Sequence, residues 1–242
     1  MTTHARPLSI GTAGWTVPAR YAAKVPAGGS QLERYARVLN AVEINSSFYR
    51  PHRRETYERW AAATPEHFRF SVKLPRTITH FARLKNCDAM LDRFLDEVTG
   101  LGDRLGVLLV QLAPKLAFDA EVAGRFFGEL HARIATPVAL EPRNASWFAP
   151  EMDEWLARHR IARVAADPAR VAGADEAGGW DGLVYYRWHG SPRIYSSSYG
   201  DAALAGLRRR LDESSKRGAE TWCIFDNTAS GAAFGNALAL NA

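Results

Sequence analysis

The chain has 242 residues, 47% of them hydrophobic, which is enough apolar material to bury one full core in a single domain spanning residues 1–242. Its net charge of +5, from 31 basic and 26 acidic residues, permits an anionic ligand or nucleic acid, and equally a solvated basic surface. No apolar stretch approaches the roughly 18 residues that span a bilayer, and Met1–Pro7 holds no apolar core region, so no membrane partner and no secretion are expected.

Eight runs have strand character: Ser9–Trp15, Ala41–Phe48, Phe68–Pro75, Gly106–Pro114, Thr136–Pro142, Ala162–Asp167, Gly182–Gly190 and Thr221–Ala229. Several are continuously apolar, as parallel strands buried on both faces are. Helical patterns alternate with them. Leu32, Tyr35 and Leu39 follow a capping box of Ser30 and Glu33. Tyr57, Trp60 and Ala61 mark a second helix, and Met90, Phe94 and Val98 a third, stopped by Gly100. Further stripes are Val122 to Ile134, Met152 to Leu156 after Pro150, Leu204 to Leu211, and Ala233 to Leu238. Pro168 to Asp181 leave little room for a helix, so the sixth helix is expected to be short or missing. The alternation predicts an α/β fold, a single TIM-like (β/α)8 barrel with right-handed crossovers. Cys87 and Cys223, lacking CxxC spacing, read as reduced thiols of a cytoplasmic protein.

Most of these strands close on polar residues, at the end where such barrels carry their sites. Side chains alternate across a strand. Glu43, Asn45 and Ser47 therefore share a face, as do Ser71 and Lys73, Glu141 and Arg143, and Tyr185, Arg187 and His189. Bulky residues fill the opposite parity and must pack under the helices, so the polar set points into the barrel. Gln111 and Asp167 are expected to join it, while parity leaves Asp226 and Asn227 undecided for the last strand. The ring holds Glu43, Glu141 and Asp167 against Lys73, Arg143 and Arg187. Such charges must pair with one another, bind a ligand or meet water.

Three chemistries fit. An anion could sit where Asn227–Ala232 opens the last helix, with Lys73, Arg76, Arg187 and His189 as countercharge; ordinary helix capping by Thr228 or Ser230 explains the same residues. A metal could be held by Glu43, Glu141, Asp167, His189 and Asp226. No HxH or HExxH spacing occurs and cations share the ring, so a tightly bound metal is disfavoured and the cofactor stays unspecified. Acid–base or covalent chemistry could use Glu43 and Glu141 as a carboxylate pair, or Lys73 as a Schiff-base amine if it is not simply salt-bridged to one of them. Aromatics just after the strand ends (Trp15, Phe48, Tyr49, Trp147, Phe148, Tyr195, Tyr199) could stack bases or sugars, or pack as lids.

The segments Gly11–Trp15, Val42–Arg50, Phe68–His80, Leu109–Pro114, Ala139–Trp147, Tyr186–Gly190 and Phe225–Gly231 together resemble the YecE-like family, known as domain of unknown function 72. The resemblance covers nearly the whole chain and implies a TIM-like barrel without an established reaction. The family's barrel is similar in outline to metal-dependent apurinic endonucleases, but the chain lacks their run of metal-binding histidines, so zinc chemistry does not carry over. Pro142 stands where the family often has Phe. The expectation is a barrel binding an anionic small molecule or nucleic acid at its mouth through Lys73, Arg76, Arg143, Arg187 and His189. Hydrolysis with Glu43 or Glu141 as general base would follow, with a non-catalytic binding protein as the alternative.

Overall fold

The computed structural model describes residues 7–241; the N-terminal stretch considered above lies almost wholly outside them. Parallel strands run in the order β1 (Leu8–Ala13), β2 (Ala41–Ile44), β3 (Arg69–Lys73), β4 (Leu105–Gln111), β5 (Val138–Glu141), β6 (Ile161–Arg163), and later β9 (Leu183–Trp188) and β10 (Glu220–Phe225), which pairs back onto β1. The sixth position of the ring is one run of chain interrupted at Val164: β6 pairs with β5, and β7 (Ala165–Asp167) pairs with β9. Counted this way the sheet is an eight-membered barrel. The remaining strand, β8 (Gly178–Gly179), is a two-residue antiparallel addition to β6.

Two apolar layers account for this closure. Inside, Ala41, Val107, Leu109, Ala139, Val164, Tyr185, Trp222 and Ile224 fill the lower barrel as a packed plug. Gly106 has no side chain because the Trp222 ring occupies that space. Outside, residues of the other parity, among them Val42, Val72, Leu108, Val110, Leu140 and Cys223, meet the helices. These are α1 (Gln31–Ala36), α2 (Arg54–Ala62), α3 (Asp88–Val98), α4 (Ala120–Arg133), α5 (Met152–Arg158), α6 (Asp201–Lys216) and α7 (Ala232–Asn241). The capping box of Ser30 and Glu33 forms as expected, with Ser30 accepting from the Glu33 N–H and Glu33 from the Ser30 N–H. Helix α1 is shorter than its stripe, since Leu39 lies beyond its end while still packing in the outer core. Tyr35 anchors it to the barrel: its buried hydroxyl donates to Ala41 O (2.9 Å) and accepts from the Thr12 N–H (2.8 Å).

No helix lies between β7 and β9 among the described residues, as the short spacing predicts. Segment 168–182 is held instead by Arg163, which faces outward from β6. Its guanidinium makes two bonds to Asp153 (2.8 and 2.9 Å) and donates to the carbonyls of Gly173 and Glu176 (both 3.0 Å). No helix among the described residues is long and apolar enough to cross a membrane.

Candidate functional site

The strand ends converge on one guanidinium. Arg187, at 0% exposure, donates to both carboxylate oxygens of Glu43 (2.9 and 2.6 Å), to Glu141 (2.8 Å) and to Asp226 (3.0 Å). These side chains come from β9, β2, β5 and the residue after β10, and each has the inward parity of its strand. Around the hub, the Tyr185 hydroxyl bridges Glu43 Oε2 (3.0 Å) and Ser71 Oγ (2.9 Å). The Gln111 amide donates to both oxygens of Glu141 (3.1 Å each), and Arg143 donates to Glu141 Oε1 through Nε (3.2 Å) and Nη2 (3.0 Å). His189 lies with Nδ1 3.1 Å from Asp226 and Nε2 3.3 Å from Glu141 Oε1; the second contact is too poorly aligned for a hydrogen bond.

This geometry decides the protonation states. Burial alone would raise the Glu141 carboxyl, but Arg187, His189 and Arg143 together hold it well below the usual carboxylate range. Asp226 is likewise lowered: burial opposes, and Arg187 and His189 prevail. Burial works against a charged Arg187 and His189, yet the facing carboxylates raise both. Glu43, Glu141 and Asp226 thus face Arg187 and Arg143, with His189 biased toward its charged form, and Lys73 is left over.

Lys73 is 5% exposed and caps this network without joining it. Among the described residues no carboxylate oxygen lies within 4.0 Å of its ammonium; the partner is the Phe48 ring, 4.1 Å away. Burial, then Arg187, push the amine down to about 8 against the pull of Glu43, Glu141 and Asp226. The simple salt-bridge reading of Lys73 does not hold. The chain beyond β3 makes a π turn, Thr77–Phe81, closed by the Ala82 N–H donating to Thr77 O (2.9 Å). His80 in that turn packs edge-on against Phe48 at 5.1 Å, with Nδ1 2.9 Å from Thr79 Oγ1. Burial, then Lys73, Arg143 and Arg76, lower His80. Sequence parity missed His80 because it stands beyond the strand, where alternation stops; the signal was its place in a Lys-Leu-Pro-Arg-Thr-Ile-Thr-His run.

Other expected members stand elsewhere. Asp167 pairs in register with Trp188 on the outward parity, and its carboxylate accepts from the Tyr199 hydroxyl (2.6 Å) behind the barrel wall. It is not part of the ring. Asp226 takes the inward place that parity left undecided. Asn227 faces the other way: its amide donates to Ser197 O (2.8 Å) and Asn236 Oδ1 (2.9 Å), tying down the loop after β9. In the segment that opens α7 the N–H groups of Ala229, Gly231 and Ala233 already donate to the Tyr195, Thr228 and Asn227 carbonyls, which leaves fewer donors for an anion there. Thr228 and Ser230 do not stand out as caps; Ser230 Oγ donates to Ser196 O (2.6 Å).

Arg76 sits at the exposed rim, its guanidinium 5.7 Å from the Tyr49 ring and 5.4 Å from the Phe81 ring. The large hydrophobics that stay exposed among the described residues are Tyr49, Phe81 and Tyr195, and all three lie in loops at this mouth. Trp147 and Tyr199, by contrast, are buried lids, and Trp15 packs edge-on against Trp60. Asn45 Oδ1, just past β2, is buried and has no hydrogen-bond partner among the described residues. The carboxylates that a metal would need face Arg187 instead, and no group of three or more His, Cys, Asp or Glu among the described residues is arranged to hold an ion. A surface concavity of about 490 Å³ lies away from the ring, between Trp180, the start of β9 and the last turns of α6, and no ring residue lines it.

A closed parallel barrel with a ring of ionisable groups at the C-terminal ends of its strands defines the class: a TIM-like barrel with its candidate site at the mouth. The family model "Protein of unknown function DUF72" matches residues 9–242, and the chain belongs to that family. Among curated relatives, the protein UPF0759 YecE of Escherichia coli K12 is 38% identical over 103 residues, covering 43% of this chain and 36% of that protein. UPF0759 protein YunF of Bacillus subtilis 168 is 29% identical over 151 residues, covering 60% of this chain and 54% of that protein. The matched stretches thus span about a third to a half of these relatives. In fold, the chain resembles a DUF72 family protein of Enterococcus faecalis V583 (TM-score 0.82, 22% identity, 97% of this chain and 94% of that one). It also resembles one of Thermotoga maritima MSB8 (TM-score 0.78, 24% identity, 97% and 98%).

Proposed function

We propose that the barrel mouth binds an anionic ligand that also presents a flat ring, as a nucleotide or a single-stranded nucleic acid does. The observation that carries this reading is the charge of three mouth loops; a fourth, 168–182, holds Asp175, Glu176 and Asp181. Segments 45–53, 74–87 and 189–200 contain no Asp or Glu, yet hold Arg50, Arg53, Arg76, Arg83, Lys85 and Arg193. None of these six makes an ion pair among the described residues; on the helices the cations divide, with Arg54, Arg93, Arg125, Arg133, Arg158 and Arg208 paired and Arg34, Arg59, Arg209, Arg210 and Lys216 not. Tyr49, Phe81 and Tyr195 stand exposed between those cations, the combination that stacks bases while tracking a phosphate backbone.

The environment lends no support to Glu43 or Glu141 as a general base. Arg187 occupies oxygens of both, and Glu141, held well below the usual carboxylate range, is a poor proton acceptor. Binding, rather than carboxylate-driven hydrolysis, is the function the geometry favours. Fluorescence anisotropy with a labelled single-stranded oligonucleotide tests it. The expected result is binding whose log Kobs falls linearly with log salt, by roughly 0.7 per phosphate contacted. No binding at 50 mM salt by oligonucleotide or mononucleotide refutes it.

A further inference from the structure

Lys73 differs from every other lysine of the described chain. Lys24, Lys85, Lys115 and Lys216 are exposed, whereas Lys73 is 5% exposed, and its ammonium makes no ion pair or hydrogen bond among the described residues. A cation this buried is ordinarily paired with a carboxylate. Here the nearby carboxylates are already taken by Arg187, and one side of the amine is covered by the apolar Phe48 ring. Its free valences are left for water or a ligand at the place where strand ends deliver substrates in this fold.

We propose that Lys73 is a nucleophile that forms an imine with an aldehyde or ketone carrying a phosphate group. The choice of phosphate rests on the anion-binding reading of the mouth; the nucleophile rests on Lys73 alone. Lys73, Arg143 and Arg76 all lower the imidazole of His80, a group of the same mouth. The charged and titratable groups facing Lys73 are Glu43 from β2, His80 from the π turn, Glu141 from β5, Arg187 from β9 and Asp226 after β10. With the amine titrating at about 8, about a quarter of it is neutral at pH 7.5, on the order of 100-fold more than for an ordinary lysine. The neutral amine attacks the carbonyl carbon, forming the C–N bond as the oxygen takes up a proton. The resulting carbinolamine loses its hydroxyl and the nitrogen-bound proton as water and leaves the C=N bond. No redox partner enters. Asn45 Oδ1, buried without a partner among the described residues, offers an acceptor at the same end of the barrel.

The test is reductive trapping on the full chain. Protein at pH 7.5 is mixed with pyridoxal 5′-phosphate, a phosphorylated aldehyde, reduced with borohydride, and mapped by peptide mass spectrometry. Secondary-amine label at Lys73 at least tenfold above that at each exposed lysine, suppressed by inorganic phosphate, is the expected result. Label spread over the exposed lysines with Lys73 unmodified overturns the proposal. A parallel arm with an abasic single-stranded oligonucleotide and cyanoborohydride separates the sources of the carbonyl: a covalent adduct there, lost in Lys73→Arg, assigns a nucleic-acid aldehyde. Label from the small aldehyde alone assigns a metabolite-sized one. Folding of Lys73→Arg is checked by its thermal transition, and if it fails to fold the wild-type peptide map decides. Oligonucleotide binding without any trap leaves the mouth reading standing and sinks the nucleophile; trapping without binding of oligonucleotide or mononucleotide does the reverse.

Discussion

Replacing Arg187 by Met should cost the barrel much of its stability, by an amount that depends on pH. The guanidinium is wholly buried and carries bonds to Glu43, Glu141 and Asp226. Methionine matches the length of the stem and keeps the packing, so the loss is electrostatic: three carboxylates remain in the barrel with only Arg143 and His189 to face. Breaking a buried pair by removing one partner costs about 3–5 kcal/mol. At roughly 2–4 °C per kcal/mol for a chain of this size, that corresponds to about 6–20 °C in Tm. The sign with pH follows from linkage. Glu141 and Asp226 have depressed folded-state values, so their contribution in the wild type is present above the unfolded values of 4.5 and 3.8 and is lost only as pH falls through the lower folded ones. Without Arg187, burial raises those carboxyls, and they take up protons as the solution is acidified from pH 7, which relieves the penalty. Urea denaturation at pH 7 and pH 5 should therefore show a large gap between wild type and variant that narrows on acidification. A gap under about 1 kcal/mol at pH 7, or one unchanged at pH 5, would refute the description of Arg187 as the hub that neutralises the ring.

Two further outcomes follow from neighbouring residues. His189 is raised above 6.5 by Glu141 and Asp226, so its contribution to stability is full below 6.5 and is lost as pH rises through the folded value. An NMR titration of its ring should give a midpoint above 6.5, and His189→Gln should flatten the stability profile on that alkaline side; a midpoint at or below 6.5 contradicts the pairing. Arg163→Ala removes the clamp on segment 168–182, and limited proteolysis there should accelerate about tenfold through local opening while cleavage elsewhere is unchanged. Equal cleavage rates would show that the segment holds itself.

What the sequence revealed of this molecule tracks how regular the backbone is. Within strands alternation is obligatory, so Glu43, Lys73, Glu141, Arg187 and Gln111 could be aimed at the barrel interior from their positions alone. Alternation gives no answer once a strand is over. Asp167 is a different case: although the chain switches pairing partners at Val164, Ala162, Val164 and Ala166 keep facing inward, so parity itself puts Asp167 outward, with Tyr199. Beyond Phe225, one residue decides between a ring ligand of Arg187 (Asp226) and a clamp on the mouth loop (Asn227), and only the packing of Asn236 against that loop settles it. His80 and Phe81 were invisible as site residues because a π turn, which has neither the strand nor the α-helical period, positions them. The pairing inside the ring was also beyond sequence: three carboxylates near a lysine suggest salt bridges to it, while the structure gives them to Arg187.

On the proposed reading the C-terminal mouth, and not the general positive charge of the chain, binds the anion. Two charge-reversed variants with equal change in net charge separate these. Arg76→Glu with Arg83→Glu alters the mouth, and Arg125→Glu with Arg158→Glu alters the helical exterior, all four residues being exposed. Anisotropy with a single-stranded oligonucleotide at 100 mM salt should show binding weakened at least tenfold in the mouth variant and within about twofold of wild type in the other. Equal weakening in both, or none in the mouth variant, would contradict the account.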